Sequence, residues 1–130
     1  MNVKKRVTAL IADDVVEMRV LLKKVLQGLE CDVLDKVADG TAAIEKIDQL
    51  KPDIVFLDID MPGVSGLQVL DNLKKKNSEV FRVIVSGQNT VENIKEAIAR
   101  GANAFVVKPY SVSKIEQVIE KYHEQLDANG

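Results

Sequence analysis

Cysteine occurs once in the 130-residue chain, at Cys31, so no internal disulfide is available. That scarcity fits a reducing compartment. Cys31 opens an apolar stretch and is expected to be packed rather than reactive. No uninterrupted apolar run approaches the ~20 residues that a membrane span needs, so no membrane partner is expected. The basic residues 1–6 are not followed by the apolar core and cleavage site of a signal peptide, and the expected location is cytoplasmic. Basic charge is not in excess either: 18 Lys and Arg stand against 20 Asp and Glu, a net charge of -2. Nucleic-acid-binding domains usually carry a basic surplus or stripe, so direct nucleic-acid binding is not expected. The one basic run, Lys74-Lys75-Lys76, reads as a solvated helix end, where cations suit the carbonyl pole. Internal repeats, linkers and low-complexity segments are also missing.

What is present is an ordinary globular balance, 46% hydrophobic and 29% charged, which argues against disorder. The length suits one domain spanning 1–130, with a core of about 6–126. A chain of this size buries roughly two-thirds of its unfolded surface, enough for one real core.

Short β-branched runs alternate with helical periodicity. Residues 7–12 predict a strand, and 16–29 a helix with the stripe Val20, Leu21, Val25 and Leu29. Strand 31–37 and helix 41–50 follow. The near-continuous apolar run 53–57 (DIVFL) is typical of a parallel sheet covered on both faces. Helix 67–76, strand 80–85 and helix 91–100 come next, the last with Asn89 as its expected N-cap and Glu92 as its partner. Gly101 should stop that helix. After strand 104–107, a final helix should start near Ser113 with Glu116 completing a capping box, its stripe being Ile115, Val118, Ile119, Tyr122 and Leu126. Five βα units predict an α/β domain with a parallel sheet and right-handed crossovers.

In open α/β sheets, chemistry sits at the carboxyl ends of the strands. Strand one ends in Asp13 and Asp14, and strand three in Asp58 with Asp60 two residues on. Strand four ends in Ser86, and strand five in Lys108 followed by Pro109. Strand two ends in Val37 and Ala38, which offer no chemistry. Carboxylates clustered this way raise each other's pKa unless a cation neutralises them. Mg²⁺ favours one or two carboxylates plus waters and phosphate oxygens. A lysine and a hydroxyl facing the same spot suit the equatorial oxygens of a phosphoryl group, whose transfer needs positioning and charge neutralisation. One carboxylate can then serve as the nucleophile and become an aspartyl phosphate.

The motifs ADD at 12–14, LDIDMPGVSG at 57–66, VSG at 85–87 and FVVKP at 105–109 together resemble the CheY-like receiver domain of two-component response regulators. The resemblance covers essentially the whole chain. It implies a doubly wound (βα)5 three-layer sandwich with a parallel five-stranded sheet in the flavodoxin-like order 2-1-3-4-5, an order for which the chemotaxis regulator CheY is a standard example. It implies that Asp58 is phosphorylated by a sensor histidine kinase or phosphotransfer protein. Asp14 and Asp58 would ligate Mg²⁺ with the backbone carbonyl of Asp60, and Asp13 would act mainly through a metal-bound water. Lys108 would pair with the phosphoryl group, and with Asp58 in its absence. Ser86 would move to the phosphoryl oxygen and the aromatic Phe105 would turn inward with it. The Lys108–Pro109 peptide would be cis. Asp60, at a position that varies in the family, would tune dephosphorylation in a direction left open. A downstream protein would dock on the face formed by the fourth helix, fifth strand and fifth helix, where a homodimer is also open. Asn103 and Ala104 stand where DNA-binding relatives often carry an acidic pair, which weakens the case for their dimer mode. Met18 and Arg19 lie on the helix where kinases of such systems dock. Catalysis beyond self-dephosphorylation is not implied.

Plainer readings stand beside these. Phe105 fits an ordinary core aromatic, Ser86 an ordinary strand end, Tyr110 packing, and His123 a surface residue rather than a phosphodonor. Asp58-Ile59-Asp60 also matches the nucleophile motif of haloacid-dehalogenase-type phosphatases. Pro62, the mid-chain position and the preceding acidic pair count against it. A pseudo-receiver that has lost phosphorylation would lack one of the key residues, and none is missing. A flavodoxin relative would place a Ser/Thr/Gly-rich loop where this chain has ADDVVE.

Overall fold

The computed structural model describes residues 6–129. It alternates β1 (Thr8–Ala12), α1 (Val16–Gly28), β2 (Asp32–Val37), α2 (Gly40–Leu50), β3 (Ile54–Asp58), α3 (Gly66–Lys75), β4 (Phe81–Ser86), α4 (Val91–Ala99), β5 (Ala104–Val107) and α5 (Val112–Asn129). The strands form one parallel sheet in the order β2-β1-β3-β4-β5.

Successive strand side chains point to opposite faces, and that alternation builds two cores. Ala9 and Ile11, Ile54 and Phe56, and Phe81, Val83 and Val85 face one side with Leu22 and Leu26 of α1 and Ile115, Val118 and Ile119 of α5. Leu10 and Ala12, Val55 and Leu57, and Ile84 face the other with Ala43 and Ile47 of α2, Val69, Leu70 and Leu73 of α3, and Ala97 of α4. β3 is buried along its whole length, as its unbroken apolar run requires of a strand covered on both faces. The fold is therefore the three-layer α/β sandwich that five βα units imply.

Several helix details differ from the sequence reading. The inward stripe of α1 is Leu22 and Leu26, flanked by half-buried Val25 and Leu29, while Val20 and Leu21 are exposed. The run VLLKKVL covers more than one face, so its spacing alone leaves the helix phase ambiguous. α4 is capped by Thr90, whose side chain accepts from the Asn93 N–H, rather than by Asn89. At α5 the cap is Ser111, whose Oγ accepts from the Lys114 N–H, two residues before the expected position. Leu126, expected in the buried stripe, is exposed. Gly101 does end α4, at φ 107°, a conformation that glycine adopts at little cost. Lys74 and Lys75 sit in the last turn of α3 with Lys76 as its C-cap, as read from sequence. Cys31 is buried, and no helix among the described residues is long and apolar enough to cross a membrane.

Candidate functional site

The strand order reverses between β1 and β3, since β1 continues to β2 on one side and β3 to β4 on the other. A crevice opens at the carboxyl ends of the strands at such a point. Asp13 and Asp14 leave β1 there, and Asp58 closes β3 beside them. Carboxylate oxygens of all three lie within 4.8 Å of one another. Asp13 and Asp58 are buried, and Asp14 is exposed. Ser86 ends β4 next to Asp58 and is 1% exposed. Lys108 follows β5 and reaches back across the sheet end, its backbone N–H donating to the Ser86 carbonyl at 2.9 Å. The Lys108–Pro109 peptide is cis.

The ammonium lies between two carboxylates, within ion-pair reach of both Asp13 and Asp58. Lys108 Nζ donates to Asp13 Oδ2 at 2.9 Å and stands 3.5 Å from Asp58 Oδ2. Asp13 is its nearer partner. Burial alone would lower the Lys108 pKa, but the hydrogen bond it donates to Asp13 and the charges of Asp58 and Asp13 outweigh it, and the net shift is upward. The Asp58 pKa is raised as well, which for a carboxyl disfavours the charged form. Burial pushes its pKa up to about 6, and Asp13's negative charge adds to this, while Lys108 and the Asp60 N–H offset only part. Three carboxylates thus face one ammonium.

That imbalance has a consequence for stability. The Asp58 carboxyl titrates near 6 when folded against about 3.9 in an unfolded chain. The folded state therefore holds a proton that the unfolded state releases, and stability falls as pH rises through this window, by about 2–3 kcal/mol at most. In EDTA, Asp58→Asn is expected to be more stable than the parent by about 1–2 kcal/mol at pH 8, with the gain shrinking below about pH 5. Urea unfolding at the two pH values checks this; a gain that grows on acidification contradicts it.

Two residues outside the sequence-based set also build the site. Gln88 donates its backbone N–H to Ser86 Oγ at 3.0 Å and its Nε2 to Asp60 Oδ2 at 3.3 Å. Arg19 Nη1 donates to the backbone carbonyl of Asp13 at 2.6 Å. Phe105 is half-buried against the core on the α2–α4 face. Tyr110 packs beside the opposite core, and burial pushes its hydroxyl up to about 12, with Asp13 adding to the effect. His123 is half-buried on α5 with its ring tilted against Tyr122.

The model of the response regulator receiver domain matches residues 9–120. The chain belongs to this family. Relatives of this receiver domain include the chemotaxis protein CheY of Listeria monocytogenes, 33% identical over 112 residues that cover 86% of this chain and 94% of that protein. The DNA-binding transcriptional activator EvgA of Escherichia coli is 35% identical over the same share of this chain but only 55% of its own length. Among solved structures, the CheX-CheY-BeF3-Mg²⁺ complex from Borrelia burgdorferi matches with a TM-score of 0.83 and 29% identity, over 87% of this chain and 86% of that one. As a receiver domain, the protein is a phosphoryl-accepting switch of two-component signalling.

Proposed function

We propose that Asp58 is the phosphoryl acceptor and that residues 1–130 act as one receiver unit, cytoplasmic, with its core at about 6–126. The observation that carries this is the convergence of Asp13, Asp14, Asp58 and Lys108 on one crevice, where three carboxylates are answered by a single ammonium. Hard oxygen donors with an uncompensated negative charge fit Mg²⁺. Asp14, Asp58 and the Asp60 carbonyl would hold it, with Asp13 acting through a bound water. Bound there, the ion supplies charge neutralisation for the incoming phosphoryl oxygens. The Mg²⁺ in the solved Borrelia complex supports this reading.

In the proposed reaction, an Asp58 carboxylate oxygen attacks phosphorus. The bond from phosphorus to the donor's histidine nitrogen breaks, and the nitrogen keeps the electron pair. The product is an aspartyl phosphate, which water later cleaves. The aspartyl phosphate carries roughly two negative charges where the carboxylate carried one, and its oxygens draw the Lys108 ammonium from Asp13 toward the phosphoryl group. Ser86 Oγ gives up the Gln88 N–H and donates to a phosphoryl oxygen, and Phe105 turns inward behind it. The proposed partners are a histidine kinase or phosphotransfer protein at the crevice and a downstream protein on the α4–β5–α5 face. Val91, Ile98, Val107 and Val112 are exposed on that face, and a homodimer could use the same residues. Neither direct nucleic-acid binding nor catalysis beyond self-dephosphorylation forms part of this function.

Acetyl phosphate with Mg²⁺, followed by intact mass, tests the assignment. The expected result is one added phosphoryl group on the parent and none on Asp58→Ala. Incorporation that persists in the variant, or that never occurs in the parent, contradicts it. Asp60→Asn is expected to change the lifetime of the phosphorylated form with little loss of stability, because the Asp60 side chain is exposed and its one bond, from Gln88, also fits an amide oxygen. Equal decay of the two labelled proteins contradicts that role.

A further inference from the structure

The connection between β1 and α1 carries two of the three clustered carboxylates, yet it has the weakest helix start in the chain. The N-cap of α1 is Val15, which makes no side-chain cap bond. The caps of α2, α3 and α4 are Asp39, Ser65 and Thr90, each accepting a backbone N–H, and Ser111 does the same before α5. A valine cap leaves first-turn N–H groups without a side-chain acceptor and nothing to fix the entry angle. The loop is held from other directions. The Asp13 N–H donates to the Val37 carbonyl at 3.1 Å, extending the β1–β2 ladder. Asp13 Oδ1 accepts the Val15 N–H at 2.9 Å, and Oδ2 accepts Lys108 Nζ at 2.9 Å. The remaining polar atom of Asp13, its carbonyl oxygen, receives Arg19 Nη1 at 2.6 Å from the second turn of α1.

We infer that Arg19 is a positioning residue for the cation site: by clamping the Asp13 carbonyl it fixes the chain's entry into α1, and so holds the Asp13–Asp14 peptide in the geometry that brings both carboxylates to Asp58. The bond is charge-assisted and half-buried, which places it among the stronger hydrogen bonds. It acts on the backbone one residue before Asp14. Asp14 is exposed, and no protein partner of its carboxylate is found among the described residues, so its placement depends on the backbone on either side. A guanidinium near a cation site also opposes cation binding by charge. Position and charge therefore predict opposite signs when Arg19 is removed, which makes the role separable.

The inference rests on the proposed Mg²⁺ site, and the test has an arm that does not. In EDTA, amide exchange at Val15 is expected to speed up in Arg19→Gln relative to the parent, with the urea midpoint little changed; unaltered Val15 protection overturns the clamp. In Mg²⁺ titrations followed by amide shifts, Arg19→Gln is expected to bind about tenfold more weakly, in the range found when groups that orient metal ligands are removed. Arg19→Lys, which keeps the charge and a shorter donor, should fall between the two. Tighter binding by Arg19→Gln with no change in Arg19→Lys assigns the residue a purely electrostatic effect and overturns the inference, as does equal binding by all three proteins. With acetyl phosphate, the loss should appear in the Mg²⁺ concentration for half-maximal labelling, while the maximal rate is recovered at saturating Mg²⁺. A parent that binds no Mg²⁺ defeats the underlying site, whatever the exchange data show.

Discussion

Lys108→Ala is expected to destabilise the metal-free protein by about 2–4 kcal/mol at pH 8, near the cost of breaking a buried ion pair by removing one partner. The Lys108 side chain is 19% exposed, and those of Asp13 and Asp58 are each 8% exposed, so solvent screens the resulting repulsion only in part. With the ammonium gone, the Asp58 pKa should move further above its value of about 6. A carboxyl raised in the folded state costs stability where it is ionised. The defect should therefore be largest at pH 8 and smallest near pH 5, where Asp58 holds its proton. Mg²⁺ supplies the missing positive charge, so saturating Mg²⁺ should recover more stability in the variant than in the parent. Urea unfolding with EDTA or Mg²⁺ at the two pH values reads all of this. A defect independent of both pH and Mg²⁺ would show that Lys108 matters only for packing. Labelling by acetyl phosphate should fall at least about tenfold, since the group that draws the phosphoryl charge into place is lost.

Gly66→Ala is expected to damage fold and site together. Gly66 is the first residue of α3, and its N–H donates to the Ile59 carbonyl at 3.1 Å. A Cβ there would lie 2.3 Å from the Asp58 carbonyl oxygen, 3.0 Å from the Asp58 carbonyl carbon and 3.1 Å from Ile59 Cα. These are backbone atoms and have no rotamer in which to retreat. Either α3 lifts from the sheet or the end of β3 shifts, and both move Asp58 away from Asp13 and Lys108. Overpacking of this kind costs about 1–3 kcal/mol, occasionally more. We expect a loss of about 3 kcal/mol, with labelling of Asp58 reduced at least about tenfold in the fraction that folds. Gly28→Ala is the control, since nothing lies within 4 Å of a Cβ there. At the end of α1 it should be neutral or stabilising by up to about 1 kcal/mol. Full labelling of folded Gly66→Ala would mean that the chain absorbs the methyl without moving Asp58.

The sheet was legible in the sequence because its strands carry strong, short β-branched runs whose boundaries are marked by acidic, glycine or proline residues. The five βα units then place Asp13, Asp14, Asp58, Ser86 and Lys108 at strand ends through topology alone, without knowledge of any side-chain angle. Helix detail was less legible. In α1, apolar residues at Val20, Leu21, Leu22, Val25 and Leu26 allow more than one buried stripe, and packing against β1 and α5 selected Leu22 and Leu26. At α4 and α5, several hydroxyl and amide residues precede each helix, and the path of the preceding loop decided for Thr90 and Ser111 over Asn89 and Ser113. Gln88 carries no signal of its own, and Arg19 is marked only by lying on the helix where kinases of such systems dock. A glutamine two residues past a strand end and an arginine on a first helix are common, and their roles appear only when their long side chains are seen to turn inward.

By itself, the sequence determined which chemical groups meet at the crevice, because a parallel sheet delivers every strand's carboxyl end to the same edge. Only the tertiary structure decided how those groups pair. Lys108 has two carboxylates in reach, and its ammonium lies 2.9 Å from Asp13 and 3.5 Å from Asp58. The pairing follows from where the ends of β1, β3 and β5 lie in the folded sheet rather than from local spacing, since 95 residues separate Lys108 from Asp13.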